Sequence, residues 1–219
     1  MFLTELQQEM KIVTTLFLVY SFFPICLTGP PLWPPVYSVD FLEQGYLIKT
    51  KPLYSNNGSW YYDFNHKVAR FDKGQGQHDF ACSGQAKHLS PDDPHAPCQI
   101  LFASDTNMYV IYPNTKTCCT PCSAKDFCSL IKPNWLENST YVGNQVFEDK
   151  TCYGWEIDGA TSKDYWYATD MNVPCEYHQI PYRTGGTIVS LTFKQESYKL
   201  SIPDPSMFMV PDYCKSKCP

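Results

Sequence analysis

The chain has little charge to spend. Asp, Glu, Lys and Arg make up 18% of its 219 residues, the net charge is −5, and no basic cluster occurs anywhere. A nucleic-acid partner needs a concentrated positive footprint, so that class is excluded. There is no G-x-S-x-G turn, no phosphate-cradling glycine loop and no internal repeat. A nucleophile-elbow hydrolase and a nucleotide enzyme therefore lose their usual signatures. Long helical periodicities are missing too. Aromatics are abundant instead, with 16 Tyr, 13 Phe and 5 Trp beside 18 Pro, a mixture that favours strands and turns.

A single long apolar run stands near the start. Residues 10–29, MKIVTTLFLVYSFFPICLTG, place a lysine after a methionine and then an apolar stretch to Phe23. A membrane anchor would need about 20 apolar residues, and Pro24 shortens this core, so the segment reads as a signal peptide. Residues 1–28 are assigned to it, with Met10 a more natural start than Met1 because Glu5 and Glu9 spoil the preceding region. Residues 29–39, opening on GPPLWPP, read as a proline-rich leader, and residues 40–219 as one domain.

Loss of the signal peptide removes Cys26 and leaves ten cysteines: Cys82, Cys98, Cys118, Cys119, Cys122, Cys128, Cys152, Cys175, Cys214 and Cys218. An even number in a secreted chain is a disulfide framework. The stretch TCCTPCSAKDFC, residues 117–128, is the densest part of it. Its Cys119-Thr-Pro-Cys122 spacing also suits a redox or zinc motif. The first needs a βαβ context that is lacking, and the second needs reduced thiolates. Adjacent Cys118 and Cys119 point to opposite sides of an extended strand and take different partners. Sequons at Asn57 and Asn138 add glycosylation sites and agree with a secreted or lysosomal glycoprotein.

Period-two patterns recur about every ten residues. Strands are predicted at 46–50, 60–64, 68–71, 99–103, 107–112, 141–148, 152–157, 165–169, 176–182 and 187–195, with a two-residue hairpin turn at Asn57-Gly58. Residues 74–97 are polar and read as a loop, and 123–131 is the one helix expected. The fold class is mainly β: antiparallel sheets, stapled by disulfides, that fold over as a curved open half-barrel or as two stacked sheets.

Candidate sites are few. His78, His88 and His95 with Asp79, Asp92 and Asp93 share one polar segment, but their spacing matches no ligand signature. Asp63, Asp72, Glu148, Asp158, Asp164 and Asp170 are scattered, and a glycosidase pair would need two of them to meet. The stronger feature is aromatic excess on strand faces. Trp60, Tyr62, Phe64, Tyr109, Trp155, Trp166 and Tyr177, with Val189, Leu191 and Phe193, sit at inward-capable positions. They are core, or they line an apolar cleft for a lipid-like molecule; with almost no helix to cover them, a non-catalytic ligand-binding cleft is the expectation.

Three segments carry a family likeness. Residues 199–214, KLSIPDPSMFMVPDYC, resemble the closing segment of the ependymin-related proteins, with Asp-Pro-Ser-x-Phe at 204–208. YYDFNHKVARFD (61–72) and CQILFASDTNMYVIYPNTKTCC (98–119) are similar to that family's strand-turn-strand and cysteine-bounded blocks. KPNWL (132–136) and CYGWEIDG resemble its cysteine-rich variants in protists and algae. The resemblance implies a secreted or lysosomal glycoprotein, a half-barrel like bacterial lipoprotein carriers, and association with lipid, calcium and a second copy in a homodimer. By position it implies Cys98–Cys218, and Cys214 with Cys118 or Cys119, and it leaves the partner of Cys175 open.

Overall fold

The computed structural model describes residues 29–47, 51–126, 128–183, 186–201, 203–214 and 217–219. The signal peptide expected at 1–28 lies outside them. Eleven strands form one antiparallel sheet: β1 Val36–Tyr46, β2 Tyr54–Asp63, β3 Val68–Lys73, β4 Cys98–Phe102, β5 Asn107–Tyr112, β6 Thr117–Ser123, β7 Thr140–Phe147, β8 Lys150–Asp158, β9 Ser162–Ala168, β10 Pro174–Pro181 and β11 Ile188–Phe193. Their spatial order is β6-β5-β4-β3-β2-β1-β11-β10-β9-β8-β7, so β6 and β7 are unjoined edges and the sheet is open. Among the described residues there is one α-helix, α1 (Phe80–Leu89).

The sheet curls. β2 and β9 are separated by four inter-strand steps, which in a flat sheet is about 19 Å. Yet the Trp33 ring lies 5.2 Å from Trp60 on β2 and 4.6 Å from Trp166 on β9. Glycines facing aromatics across the ladder permit this bending. Gly45 lies opposite Tyr54, Gly58 opposite Phe41, and Gly154 opposite Tyr167. At Gly58 a Cβ would strike the Phe41 ring and come within 2.6 Å of the Asp72 carbonyl. Gly58→Ala is therefore expected to cost about 1–3 kcal/mol through overpacking, read by chemical denaturation.

This overturns the hairpin expected at Asn57-Gly58: both residues are interior to β2, whose antiparallel pairing with β1 runs from Gly45 opposite Tyr54 to Val36 opposite Asp63. The proline-rich leader also ends earlier than expected, because β1 already begins at Val36 and alternates half-buried and buried to its end. The strand placed at 46–50 starts where β1 stops, and residues 48–50 lie outside the described ones. The loop assigned to 74–97 contains α1. Asp79 starts it, accepting from the amides of Ala81 and Cys82, and Cys82, Ala86 and Leu89 bury one stripe. Of the helix expected at 123–131, the described residues form a single 3₁₀ turn, Ala124–Asp126.

Five disulfides hold this frame: Cys82–Cys98, Cys118–Cys214, Cys119–Cys218, Cys122–Cys128 and Cys152–Cys175. The Cys98–Cys218 bridge implied by resemblance is corrected. Cys98 is on β4, two strands in from the β6 edge where Lys217 bridges Thr120; that is about 10 Å, beyond disulfide reach. Cys82 on α1 takes Cys98 instead, at a Cα separation of 6.3 Å. Cys118 and Cys119 do go opposite ways, one to each tail cysteine, both at 4.8 Å. The partner of Cys175 is Cys152.

Three coverings complete the core. α1 lies on the concave side of β4–β6, over Ile100, Val110 and Tyr112. The C-terminal segment lies on the opposite side, with Phe208 and Val210 against Leu101, Tyr109 and Ile111. The concave side of the remaining strands is filled by Trp33 from the leader and by Leu130, Ile131, Trp135 and Leu136 from residues 128–139.

Candidate functional site

The concave face collects most of the aromatic candidates. Trp60, Tyr62, Trp155, Trp166, Leu191 and Phe193 are buried in one cluster, with Phe64 and Tyr177 half-buried against it. Alternation explains the grouping: on β2 positions 60 and 62 face inward, and the ladder pairs Trp155 with Trp166 and Tyr177 with Leu191. Val189, opposite Gly45, is half-buried further along the same face. Tyr109 does not join them. Its ladder partner is Leu101, and both lie under the C-terminal segment on the convex side.

What fills the face was not legible as a site. Residues 128–139 and Trp33 act as a plug. Leu136 is fully buried, the Tyr62 hydroxyl donates to the Ile131 carbonyl at 2.7 Å, and the Trp33 amide donates to the Pro133 carbonyl at 3.0 Å. The Cys122–Cys128 bridge anchors the segment where it leaves β6. Both Trp33 and Trp135 sit close to prolines and off the strand pattern. A large ring in such a stretch has nowhere to bury except against the sheet, and that was the available signal.

Two cavities flank the plug. One, of 280 Å³, is lined by Phe64, Phe102, Ala103 and Leu130 with Lys67 and Lys132 at its rim. The other, of 460 Å³, is bounded by Leu130, Ile131, Trp135, Tyr177 and Asp164. Asp164 accepts from Ser162 at 2.9 Å and Gln179 at 3.0 Å, while burial raises its pKa. Burial, and then Asp164, hold the Tyr177 hydroxyl protonated far above the usual phenol range.

Deep in the cluster, polar atoms stand alone. The indole N–H groups of Trp33, Trp60, Trp135 and Trp166 and the hydroxyl of Tyr37 are buried with no hydrogen-bond partner among the described residues. Burial, then Tyr62 and Tyr198, keep Tyr37 protonated and so a donor.

Several of the other candidates have local partners. Asp79 caps α1 and pairs with Lys73 at 3.1 Å, and Asp93 accepts from the His95 amide. His78 stacks on Tyr54 and lies 5.8 Å from the His95 ring. Among the described residues no group of three or more His, Cys, Asp or Glu side chains could hold a metal ion. Asp63 bonds His66, Asp72 pairs with Arg70, and Asp158 with Lys163. Asn57 and Asn138 are both exposed. No helix among the described residues is long and apolar enough to cross a membrane.

No family model matches the chain, and no curated protein does. Solved structures are similar. An uncharacterized conserved protein from Thermus thermophilus aligns with a TM-score of 0.50 at 6% identity, over 84% of this chain and 90% of that one. That likeness supports the fold alone. MucB of Pseudomonas aeruginosa, in its complex with MucA, aligns at 0.41 and 8% identity over 82% of this chain and 57% of that one. A second MucB structure, in complex with MucA(peri), gives 0.39 and 9% over 82% and 56%.

Proposed function

We propose that this protein is a secreted or lysosomal glycoprotein of the ependymin-related kind that binds an apolar, lipid-like ligand without catalysing a reaction on it. The observation that carries this reading is the covering of the concave face. A curved aromatic surface would ordinarily be closed by a second sheet or a helix that packs it permanently. Here irregular chain closes it, and irregular chain has few backbone hydrogen bonds of its own to hold it down. The apolar cavity beside Phe64, Phe102 and Leu130 is where such a ligand would enter. Five disulfides and two exposed sequons suit an oxidising compartment.

The test is native mass spectrometry of protein purified from its own source, with solvent extraction of whatever it carries. A bound apolar molecule in near-stoichiometric amount is the expected result. Protein that arrives empty and takes up no fluorescent apolar probe would defeat the reading. A structural or adhesive role is the second reading, favoured by the edge strand β7, where Tyr141, Val142 and Val146 are exposed. Calcium binding and a homodimer, which the family resemblance implies, extend this proposal; calcium titration and the mass of the native protein test them.

A further inference from the structure

We infer that the ligand of the concave face is an amphiphile whose head carries a carbonyl-type hydrogen-bond acceptor, and that this head takes the place now held by the Ile131 carbonyl. The inference rests on the binding role proposed above and names the chemistry of that site. Buried Trp and Tyr groups normally find an acceptor, and each exception calls for an explanation. Among the described residues, four indole N–H groups and one phenol of a single cluster on one face are such exceptions, with Gln85, Ser139 and Gln195 the others. Trp33 touches Tyr37, Trp60, Tyr62, Trp135 and Trp166, with ring centroids between 4.6 and 5.8 Å. The polar atoms of this cluster are thus donors in excess of acceptors.

The Tyr62 hydroxyl shows what these donors lack. Tyr62 donates to the Ile131 carbonyl, an acceptor supplied by the plug. Tyr37, whose ring is 5.0 Å from that of Tyr62, has none. When residues 128–139 move away, Trp135 leaves with them, but Tyr37, Tyr62, Trp60 and Trp166 stay on β1, β2 and β9. The exposed face is then apolar, with several donors among the rings. A hydrocarbon would leave those donors unpaired. A carboxylate or ester oxygen would pair them, and a buried donor left unsatisfied is costly enough to discriminate. An alkyl chain would lie where Leu130, Ile131 and Leu136 now pack.

The experiment compares three ligands with the same chain, dodecanoic acid, methyl dodecanoate and n-dodecane, each supplied from cyclodextrin to the intact protein. Binding is followed by the ¹⁵N–¹H indole resonances and by amide exchange of residues 128–139. The acid, the ester or both should bind about ten-fold or more tightly than the hydrocarbon. Indole signals of Trp60 and Trp166 should shift downfield, and exchange in 128–139 should accelerate. Which of the two binds separates a charged from a neutral head. The Tyr37→Phe/Tyr62→Phe double variant, which removes the donors beside the place of the Ile131 carbonyl, should lose the preference while keeping its affinity for dodecane. Equal binding of all three overturns the acceptor and leaves the apolar-ligand role standing. Binding without indole shifts or faster exchange also overturns it, because the ligand is then elsewhere. No binding by any of the three removes both.

Discussion

Replacing Cys118 and Cys214 together by alanine is expected to cost only about 2 kcal/mol, and so is replacing Cys119 and Cys218, but losing both bridges should cost about 7. The two bridges span 96 and 99 residues, and each alone, as the sole crosslink of the tail, would restrict the unfolded chain by about 4–5 kcal/mol. They leave from adjacent residues and end four apart. With one in place, the other closes a loop of about five residues, worth about 2 kcal/mol. The loss is therefore strongly non-additive, and a double-mutant cycle in urea reads it directly. The consequence is structural as well. Once both are gone the tail is free to lift, and with it the cover over Leu101, Tyr109 and Ile111. The remaining tie there includes the Arg70 bond to the Met207 carbonyl at 2.9 Å. Equal, additive losses would show that the denatured chain keeps the tail near β6.

The same tail shows how much of the fold the sequence carried. Alternation at Trp60-Tyr-Tyr62 and at Val189-x-Leu-x-Phe193 was enough to place strands and their inward faces, because period two is imposed by the pleat and owes nothing to distant chain. The opposite exits of Cys118 and Cys119 were legible for the same reason. Their partners were not, since a pairing depends on which strands end up adjacent, and β6 lies at an edge only because of the whole sheet order. α1 was hidden by composition. Its buried stripe is small, Cys82, Ala86 and Leu89, and one of these is spoken for by a disulfide; yet the Asp79 cap and the four- and three-residue spacing were there to be read. Trp33 and Trp135 were missed because pattern analysis assigns prolines to loops and loops to solvent. A curved sheet with no second layer needs something to fill it, and here the irregular chain does so.

A lysine in the interior makes the last prediction. Lys73 is buried between Glu43, at 3.0 Å, and Asp79, at 3.1 Å, with the Phe41 ring 4.8 Å away. Asp79 also caps α1, so this one cation ties β3 and β1 to the helix. Burial works against the charge on Lys73, but Asp79 and Glu43 outweigh it and its pKa rises. Glu43 is raised as well, by burial that its attraction to Lys73 does not fully offset. A carboxyl whose folded pKa lies above its unfolded one favours the fold when protonated, and that contribution fades as pH rises through the folded value. This network should thus stabilise the protein more at mildly acid pH than at neutrality. Glu43→Gln should leave stability at pH 7 unchanged or higher and flatten its pH dependence. Lys73→Met should behave in the opposite sense, leaving two buried carboxylates without a counter-charge. A loss of about 3–5 kcal/mol is expected at pH 7, recovered in part on acidification as the carboxyls take up protons. Thermal or urea unfolding between pH 4.5 and 7.5 checks both, and a Lys73→Met variant equally unstable across that range would mean the pair holds no net charge in the folded protein.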